Sequence, residues 1–116
     1  MSCPVVQFQI LAKDPERASA FYADAFGWRV NADNSLGYRL IDTGSPEGIA
    51  GGIWPSPPDG HNFVQLFIKV GSVPESVARV ESLGGRTIIP PQTLPEGQML
   101  AIMLDPQGIA FGLTDR

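Results

Sequence analysis

The chain has 116 residues, of which 43% are hydrophobic and 17% charged, with a formal net charge of −4. This length and apolar content predict one compact domain. Clustered Lys and Arg side chains, which a nucleic-acid-binding surface needs, are absent from the sequence, and no apolar run is long enough to span a membrane. The only cysteine, Cys3, cannot form an intrachain disulfide, and the first residues lack the pattern of a secretory leader. We therefore expect a cytoplasmic protein whose partners are neither nucleic acids nor membranes.

The first half of the chain predicts a strand, a helix and three further strands. Residues 5–11 are suited to a strand. The following helix begins after Asp14, whose side chain can accept a hydrogen bond from the first turn, and has Pro15 at its first position. Gly27 ends the helix, because glycine readily adopts the left-handed conformation. The remaining strands of this βαβββ unit are expected near 28–32, 36–42 and 49–54.

The second half predicts the same order of elements. A strand covers 63–70, and Ser72 and Glu75 form a capping box at the start of a helix, which Gly84 ends. Val73, Val77 and Val80 recur in this helix with the spacing of one helical face. The remaining strands are expected near 86–89, 98–104 and 109–113.

The two halves also resemble each other residue by residue, which indicates an internal repeat. The stretch "VQFQILAKDPERASAFYADAFGWRV" (6–30) aligns with "VQLFIKVGSVPESVARVESLGGRTI" (64–88) at an offset of 58 residues. The stretch "GIAGGI" (48–53) matches "GIAFGL" (108–113) at an offset of 60 residues. The chain is therefore interpreted as two copies of one module.

Alternation along the strands separates a face covered by the helices from an opposite face. We expect Val64, Leu66, Ile68 and Val70 to lie under the second helix. Val6, Phe8 and Ile10 of the first strand are expected on the equivalent, helix-covered face. Glutamines at equivalent places in the two copies then point away from the helices, which suggests a concave polar surface. The alternative is a set of exposed glutamines on a half-solvated sheet, with the aromatic residues serving only as core or rim. The residues proposed to line a ligand groove are Gln7, Gln9, Trp54, Gln65, Phe67 and Met103.

Three stretches resemble the vicinal oxygen chelate superfamily, which includes glyoxalase I, the bleomycin-resistance proteins and the extradiol dioxygenases. They are "DPERASAFYADAFGW" (14–28), "VARVESLGGR" (77–86) and "DPQGIAFGL" (105–113). The resemblance implies an α+β fold of two tandem βαβββ modules that form a curved, mostly antiparallel sheet around a cleft. Residues 1–116 would be a single glyoxalase-like domain, with module 1 at about 4–54 and module 2 at about 62–114.

The same resemblance implies where a metal would bind in the metal-using relatives. Their four ligand positions fall here on Gln7, Gly52, Gln65 and Gly112. Two neutral amides and two glycines provide no imidazole and no carboxylate, which are the ligands that divalent metals prefer in such sites. The single histidine, His61, cannot form a metal site alone. We therefore expect neither a bound metal nor another cofactor.

Two functions remain open on the sequence. The first is a small-molecule binding protein that resembles the bleomycin-resistance branch, whose members are homodimers and sequester ligands in grooves. The second is a metal-dependent lyase, isomerase or dioxygenase of the superfamily, with Gln7 and Gln65 as ligands and a carboxylate from elsewhere. The sequence favours the first, with a small organic molecule as the partner and a homodimer as the assembly.

Overall fold

A computed structural model describes residues 2–34 and 36–116, and its secondary structure confirms the α+β class. The described residues form eight strands and two helices in the order that the internal repeat predicts. The first copy contains β1 (Val5–Ala12), α1 (Pro15–Phe26), β2 (Arg29–Asn31), β3 (Arg39–Asp42) and β4 (Ala50–Pro55). The second copy contains β5 (Phe63–Lys69), α2 (Val73–Ser82), β6 (Arg86–Thr93), β7 (Met99–Leu104) and β8 (Ala110–Thr114). Neither helix has the length and hydropathy required to cross a membrane.

One compact unit comprises Gln7–Gln65. Within it the strands lie in the order β2-β3-β4-β1, and β4 pairs with β1 in parallel while the other two pairings are antiparallel. The parallel register places Gln9 beside Gly52 and Leu11 beside Trp54. Helix α1 packs against β2 and β4.

The other compact unit comprises Leu66–Arg116 together with the residues that precede Gln7. Its strands lie in the order β5-β8-β7-β6, again with one parallel pairing, between β5 and β8, and two antiparallel ones. The register places Phe67 beside Gly112. This pairing is equivalent to that of Gln9 with Gly52, so the repeat seen in the sequence is also a repeat of strand pairing.

Both helices begin where their sequences predict. Helix α1 ends at the predicted Gly27, and α2 ends at Ser82 with Leu83 as its C-cap, one residue before the predicted Gly84. Asp14 accepts a hydrogen bond from the backbone N–H of Arg17 at 3.1 Å, and the hydroxyl of Ser72 accepts one from the N–H of Glu75 at 3.2 Å. These contacts satisfy N–H groups that the first helical turn leaves without an intrahelical partner. Gly27 ends α1 in the left-handed conformation with φ of 72°.

Each helix covers one face of the strands in its own unit. In the Gln7–Gln65 unit the core contains Ala12, Ile41 and the fully buried Ile53, with Phe8 and Ile10 of β1 packed against it. In the other unit the core is formed by Val70, Val73, Val77, Ala101, Met103 and Leu113. The prediction that alternate residues of β1 lie under the helix is therefore confirmed for Phe8 and Ile10.

The same prediction is only half correct for β5. Val70 is buried and Ile68 packs against the core, but Val64 and Leu66 are 60% and 48% exposed. The physical reason is that α2 packs against β6, β7 and β8 and does not extend over the first half of β5. Two apolar side chains of this strand therefore face solvent.

Gly112 in β8 allows an aromatic ring to approach the backbone closely. A Cβ atom added at Gly112 would lie 2.5 to 2.7 Å from ring atoms of Phe67, its neighbour in the register. Real Cβ atoms do not approach other atoms so closely, so any larger residue would force the ring of Phe67 to move. A glycine within a strand normally lowers the stability of that strand. Here the packing of Phe67, which is 2% exposed, requires a glycine.

Strand β6 contains two adjacent prolines and is longer than the sequence predicted. It extends to Thr93 rather than ending near residue 89, and its register with β7 shifts twice, between Thr87 and Ile89 and again between Ile89 and Gln92. Pro90 and Pro91 have no backbone N–H and cannot donate to a neighbouring strand. The strand tolerates them because it is the outermost in its unit and pairs only with β7 there.

The contact between Phe67 and Gly112 predicts a non-additive effect on stability. Gly112→Ala should lower the free energy of unfolding by about 1–3 kcal/mol, because the new methyl group overpacks against the ring. In a Phe67→Leu background, which removes the ring, the same substitution should cost at least about 0.5 kcal/mol less. Urea denaturation of the four proteins measures this coupling.

Gly48→Ala is the matched control, because a Cβ at that position would meet nothing within 4 Å. Equal costs of Gly112→Ala in the two backgrounds would show that the ring does not restrict this position.

Candidate functional site

A row of three polar side chains connects β5, β1 and the end of the β2–β3 connection within the Gln7–Gln65 unit. Gln65 Nε2 donates a hydrogen bond to Gln9 Oε1 at 2.5 Å, and Gln9 Nε2 donates to the hydroxyl oxygen of Tyr38 at 3.3 Å. Gln65 is 5% exposed, and the other two side chains are half-buried. We refer to Gln65, Gln9 and Tyr38 as the polar row.

Gly52 provides the space in which Tyr38 lies. A Cβ atom added at Gly52 would coincide with the hydroxyl oxygen and ring carbons of Tyr38. Only glycine can therefore occupy this position of β4 while Tyr38 keeps its place. The pairing of Gly52 with Gln9 in the β1–β4 register explains why the tyrosine hydroxyl reaches the Gln9 amide.

Trp54 lies two residues beyond Gly52 on the same face of β4 and packs beside Tyr38. The centroids of the two rings are 5.7 Å apart, with an angle of 42° between the ring planes. Trp54 is 38% exposed, so part of its indole is open to solvent. Tyr38 and Trp54 together form an aromatic surface next to the polar row.

The polar row carries no formal charge, because it consists of two amides and a phenol. Burial raises the pKa of Tyr38 above its ordinary value, and the hydrogen bond from Gln9 offsets part of that rise. The tyrosine hydroxyl is therefore protonated throughout the physiological range of pH. This environment favours neutral, hydrogen-bonding groups over ions.

Gln65 Oε1 is buried and has no hydrogen-bond partner among the described residues. Leaving such an acceptor unsatisfied costs about 1–3 kcal/mol, so buried amide oxygens nearly always have a partner. The polar row thus begins at an amide oxygen that is enclosed by the fold and has no partner among the described residues.

The structure brings together only some of the residues that the sequence proposed for a ligand groove. One cluster contains Gln9, Gln65 and Trp54, because Tyr38 contacts both Gln9 and Trp54. Gln7 is half-buried and pairs with Ala50 in the β1–β4 register. Its amide is not the partner of Gln65, which hydrogen bonds to Gln9. Phe67 is buried against Gly112 in the other unit.

The placement of Met103 in the groove was wrong. Met103 has no exposed surface and lies in the core with Val73 and Val77 of α2. The antiparallel register of β7 with β8 explains this position, because it pairs Met103 with Phe111 and Ala101 with Leu113, and all four residues belong to the core under α2 or pack against it. The residues of β7 on the other face are Leu100, Ile102 and Leu104.

Sequence reasoning missed Tyr38. The signal that could have identified it was the glycine at position 52, since a glycine within a strand marks a place where another group approaches the backbone. The register pairs Leu40 with Gly52, which puts the alternate residues of this segment, including Tyr38, on the face of Gly52. That pairing could not be read from the sequence.

Gln7, Gly52, Gln65 and Gly112, the positions at which the resemblance implies metal ligands, do not fit a tightly bound divalent ion. The side of Gly52 on which a carboxylate would project is filled by Tyr38, and the corresponding side of Gly112 is filled by Phe67. The amide of Gln65 offers one neutral oxygen, which does not offset the cost of removing water from a dication. Among the residues that the structure describes, no group of three or more His, Cys, Asp or Glu side chains is placed to hold a metal.

Curated relatives and solved structures identify the fold. The chain is 26% identical over 108 residues to "Putative glyoxylase CFP32" of Mycobacterium bovis and of Mycobacterium tuberculosis, a match that covers 90% of this chain and 41% of the relative. The chain therefore spans about two fifths of the length of these relatives.

Among solved structures, hypothetical protein BH1468 from Bacillus halodurans C-125 is similar with a TM-score of 0.72 and 12% identity, covering 100% of this chain and 96% of that one. A single-substitution variant of Streptomyces coelicolor methylmalonyl-CoA epimerase, in complex with 2-nitronate-propionyl-CoA, is similar with a TM-score of 0.62 and 16% identity, covering 96% and 92%. These likenesses show a shared fold. The family model for the glyoxalase-like domain matches residues 6–114, which is nearly the whole sequence, and the chain therefore belongs to the glyoxalase-like family.

Proposed function

We propose that this protein is a metal-independent member of the glyoxalase-like family that binds a small organic molecule. The observation that carries the proposal is which residues occupy the positions at which metal-using relatives would have their ligands. Two of them are glycines covered by the rings of Tyr38 and Phe67, and the amide of Gln65 is hydrogen bonded to Gln9. In place of a charged chelating set, the Gln7–Gln65 unit contains a neutral polar row next to the aromatic surface of Tyr38 and Trp54.

Such a surface is suited to recognising a neutral ligand. A few polar groups that fix the orientation of a ligand, set among aromatic side chains, are typical of small-molecule sites. The unsatisfied Oε1 of Gln65 adds a buried acceptor to that set. The proposal follows the bleomycin-resistance branch of the superfamily, in which binding rather than catalysis is the activity.

Exposed apolar side chains support the further proposal that the protein is a homodimer. Phe21 and Phe26 on α1 are 60% and 62% exposed, and both rings pack against Tyr22, which joins them into one aromatic surface on this helix. Large apolar side chains left in water favour association when they are grouped on a surface. The proposed partner is a second copy of the chain.

The binding proposal predicts stabilisation by a ligand. In a thermal-unfolding screen of neutral aromatic and heterocyclic compounds, at least one compound should raise the Tm. A ligand present at about one hundred times its Kd stabilises the folded state by about 2.7 kcal/mol, which raises the Tm of a domain of this size by roughly 10 °C. If no compound raises the Tm, the binding proposal is contradicted.

The absence of a metal requirement predicts weak binding of divalent ions. Calorimetric titration of chelator-treated protein with Mn²⁺, Ni²⁺ and Zn²⁺ should show no site with a Kd below roughly 0.1 mM, because neutral amides are poor ligands for these ions. The Cys3→Ser variant is the control, since Cys3 is an exposed thiol that can hold Zn²⁺ elsewhere on the surface.

A stoichiometric site that persists in Cys3→Ser and is lost in Gln65→Met would overturn this proposal. Such a result would instead favour the metal-dependent lyase, isomerase or dioxygenase.

The dimer proposal predicts the mass of the particle in solution. Light scattering should give about 25 kDa, which is twice the 12.4 kDa of one chain. A particle of one chain's mass at all accessible concentrations would be the contrary result.

A further inference from the structure

The ring and hydroxyl of Tyr38 occupy a recess over the backbone of Gly52. The ring lies over Gly52, beside the indole of Trp54, and its hydroxyl accepts a hydrogen bond from Gln9. Each of these three contacts is one that a free phenol could make equally well. The recess therefore has the form of a binding subsite that is filled by a side chain of the protein itself.

We propose that the recess over Gly52 is an aromatic subsite and that Tyr38 is its displaceable internal occupant, which gives way to a neutral ligand carrying a hydroxyl-substituted aromatic ring. In the bound state the ligand ring lies over Gly52 against Trp54, and its oxygen accepts from Gln9 Nε2. This inference rests on the proposed binding function and specifies the chemical class of its ligand.

The polar row directs a hydrogen-bond donor into the recess. Gln65 donates to Gln9, and Gln9 donates to Tyr38, so the donors of the row are directed toward the recess. Gln65 is only 5% exposed and holds the amide oxygen of Gln9, which leaves Gln9 Nε2 free to donate to whichever hydroxyl lies over Gly52.

The attachment of Tyr38 allows the ring to leave while the backbone stays in place. The side chain of Asn34 holds the backbone of Tyr38 on both sides, donating to its carbonyl oxygen at 2.7 Å and accepting from its N–H at 3.0 Å. The ring itself has one hydrogen bond, the 3.3 Å contact with Gln9. Rotation about the side-chain torsions of Tyr38 would therefore vacate the recess at the loss of a single hydrogen bond and the ring contacts.

The lack of charge in the row selects a neutral ligand. The two amides carry no formal charge that would offset the cost of burying a carboxylate or an ammonium group in the recess. The burial that raises the pKa of Tyr38 disfavours a phenolate at the same place. The ligand is therefore expected to bind with its hydroxyl protonated.

The test uses p-cresol, which is the tyrosine side chain as a free molecule. In the Tyr38→Ala variant the recess is vacant, and p-cresol should bind in calorimetry and raise the Tm. Toluene, which lacks the hydroxyl, should bind roughly five- to tenfold more weakly, because it cannot accept from Gln9. Gln9→Leu in the same background should abolish this difference.

Wild-type protein should bind p-cresol more weakly than Tyr38→Ala, since the ligand must first displace the tyrosine. Tyr38→Phe keeps a ring in the recess but loses the hydrogen bond to Gln9, so it should bind p-cresol roughly three- to tenfold more tightly than wild type. This comparison keeps the proposal testable even if Tyr38→Ala does not fold.

Gly52→Ala is the matched control, because its methyl group would stand where the ring lies. Added to Tyr38→Ala or Tyr38→Phe, it should weaken p-cresol binding at least tenfold. The proposal is overturned if p-cresol fails to bind the folded Tyr38→Ala protein, if its affinity is the same in wild type and Tyr38→Phe, or if Gly52→Ala leaves its affinity unchanged.

These outcomes are separate from those that test the proposed function. If a compound from the thermal screen binds wild type and is unaffected by Gly52→Ala, the recess is not its site, while the protein remains a binding protein. If p-cresol binds Tyr38→Ala but a stoichiometric metal is found in wild type, the recess exists and the metal-independent function fails.

Discussion

The close approach of an aromatic ring to a glycine backbone is the contact on which both halves of this structure depend. In each copy of the repeat the closing strand pairs in parallel with the first strand, and a glycine of the closing strand lies beside a residue of the first. At Gly112 the neighbour itself, Phe67, fills the space, whereas at Gly52 the space is filled by Tyr38 from outside the strand pair. The repeat is thus preserved in the backbone and has diverged in which ring covers the glycine.

This divergence decides which side chain can stand at the two glycines. A larger residue at Gly52 or Gly112 would have to displace the ring that now lies there. A glutamate at either position and the ring that covers it therefore exclude each other sterically. The rings of Tyr38 and Phe67 set the shape of the backbone around both glycines, and in the Gln7–Gln65 unit the hydroxyl of Tyr38 continues the row of Gln65 and Gln9.

Local signals in the sequence predicted most of the fold. The caps at Asp14 and Ser72 and the left-handed glycine at position 27 depend on neighbouring residues only, and the helices form where these signals place them. Residues that depend on strand register were less predictable. Alternation along β7 correctly places Met103 on the same face as Ala101. Which face of β7 meets α2, however, is set by the pairing of β7 with β8.

The candidate site was predicted only in part for the same reason. Alternation along their strands predicts that the side chains of Gln9 and Gln65 point to the same face of the sheet. The hydrogen bond between the two side chains agrees with that prediction. Tyr38 reaches that site from a connection between strands, where alternation gives no direction. The exposure of Val64 and Leu66 likewise depends on how far α2 extends across the sheet, a tertiary property that residue patterns do not contain.

The prolines of β6 affect the tendency of the protein to aggregate by adding strands from other molecules. An outer strand normally presents free N–H and C=O groups, onto which a strand of another molecule can add to begin a fibril. Pro90 and Pro91 leave this strand with fewer backbone donors, and the two register shifts interrupt the flat row that an incoming strand would need. In the Gln7–Gln65 unit, the outer strand β2 has only three residues and offers few backbone groups to an added strand. The edges at β6 and β2 are thereby protected against intermolecular strand addition.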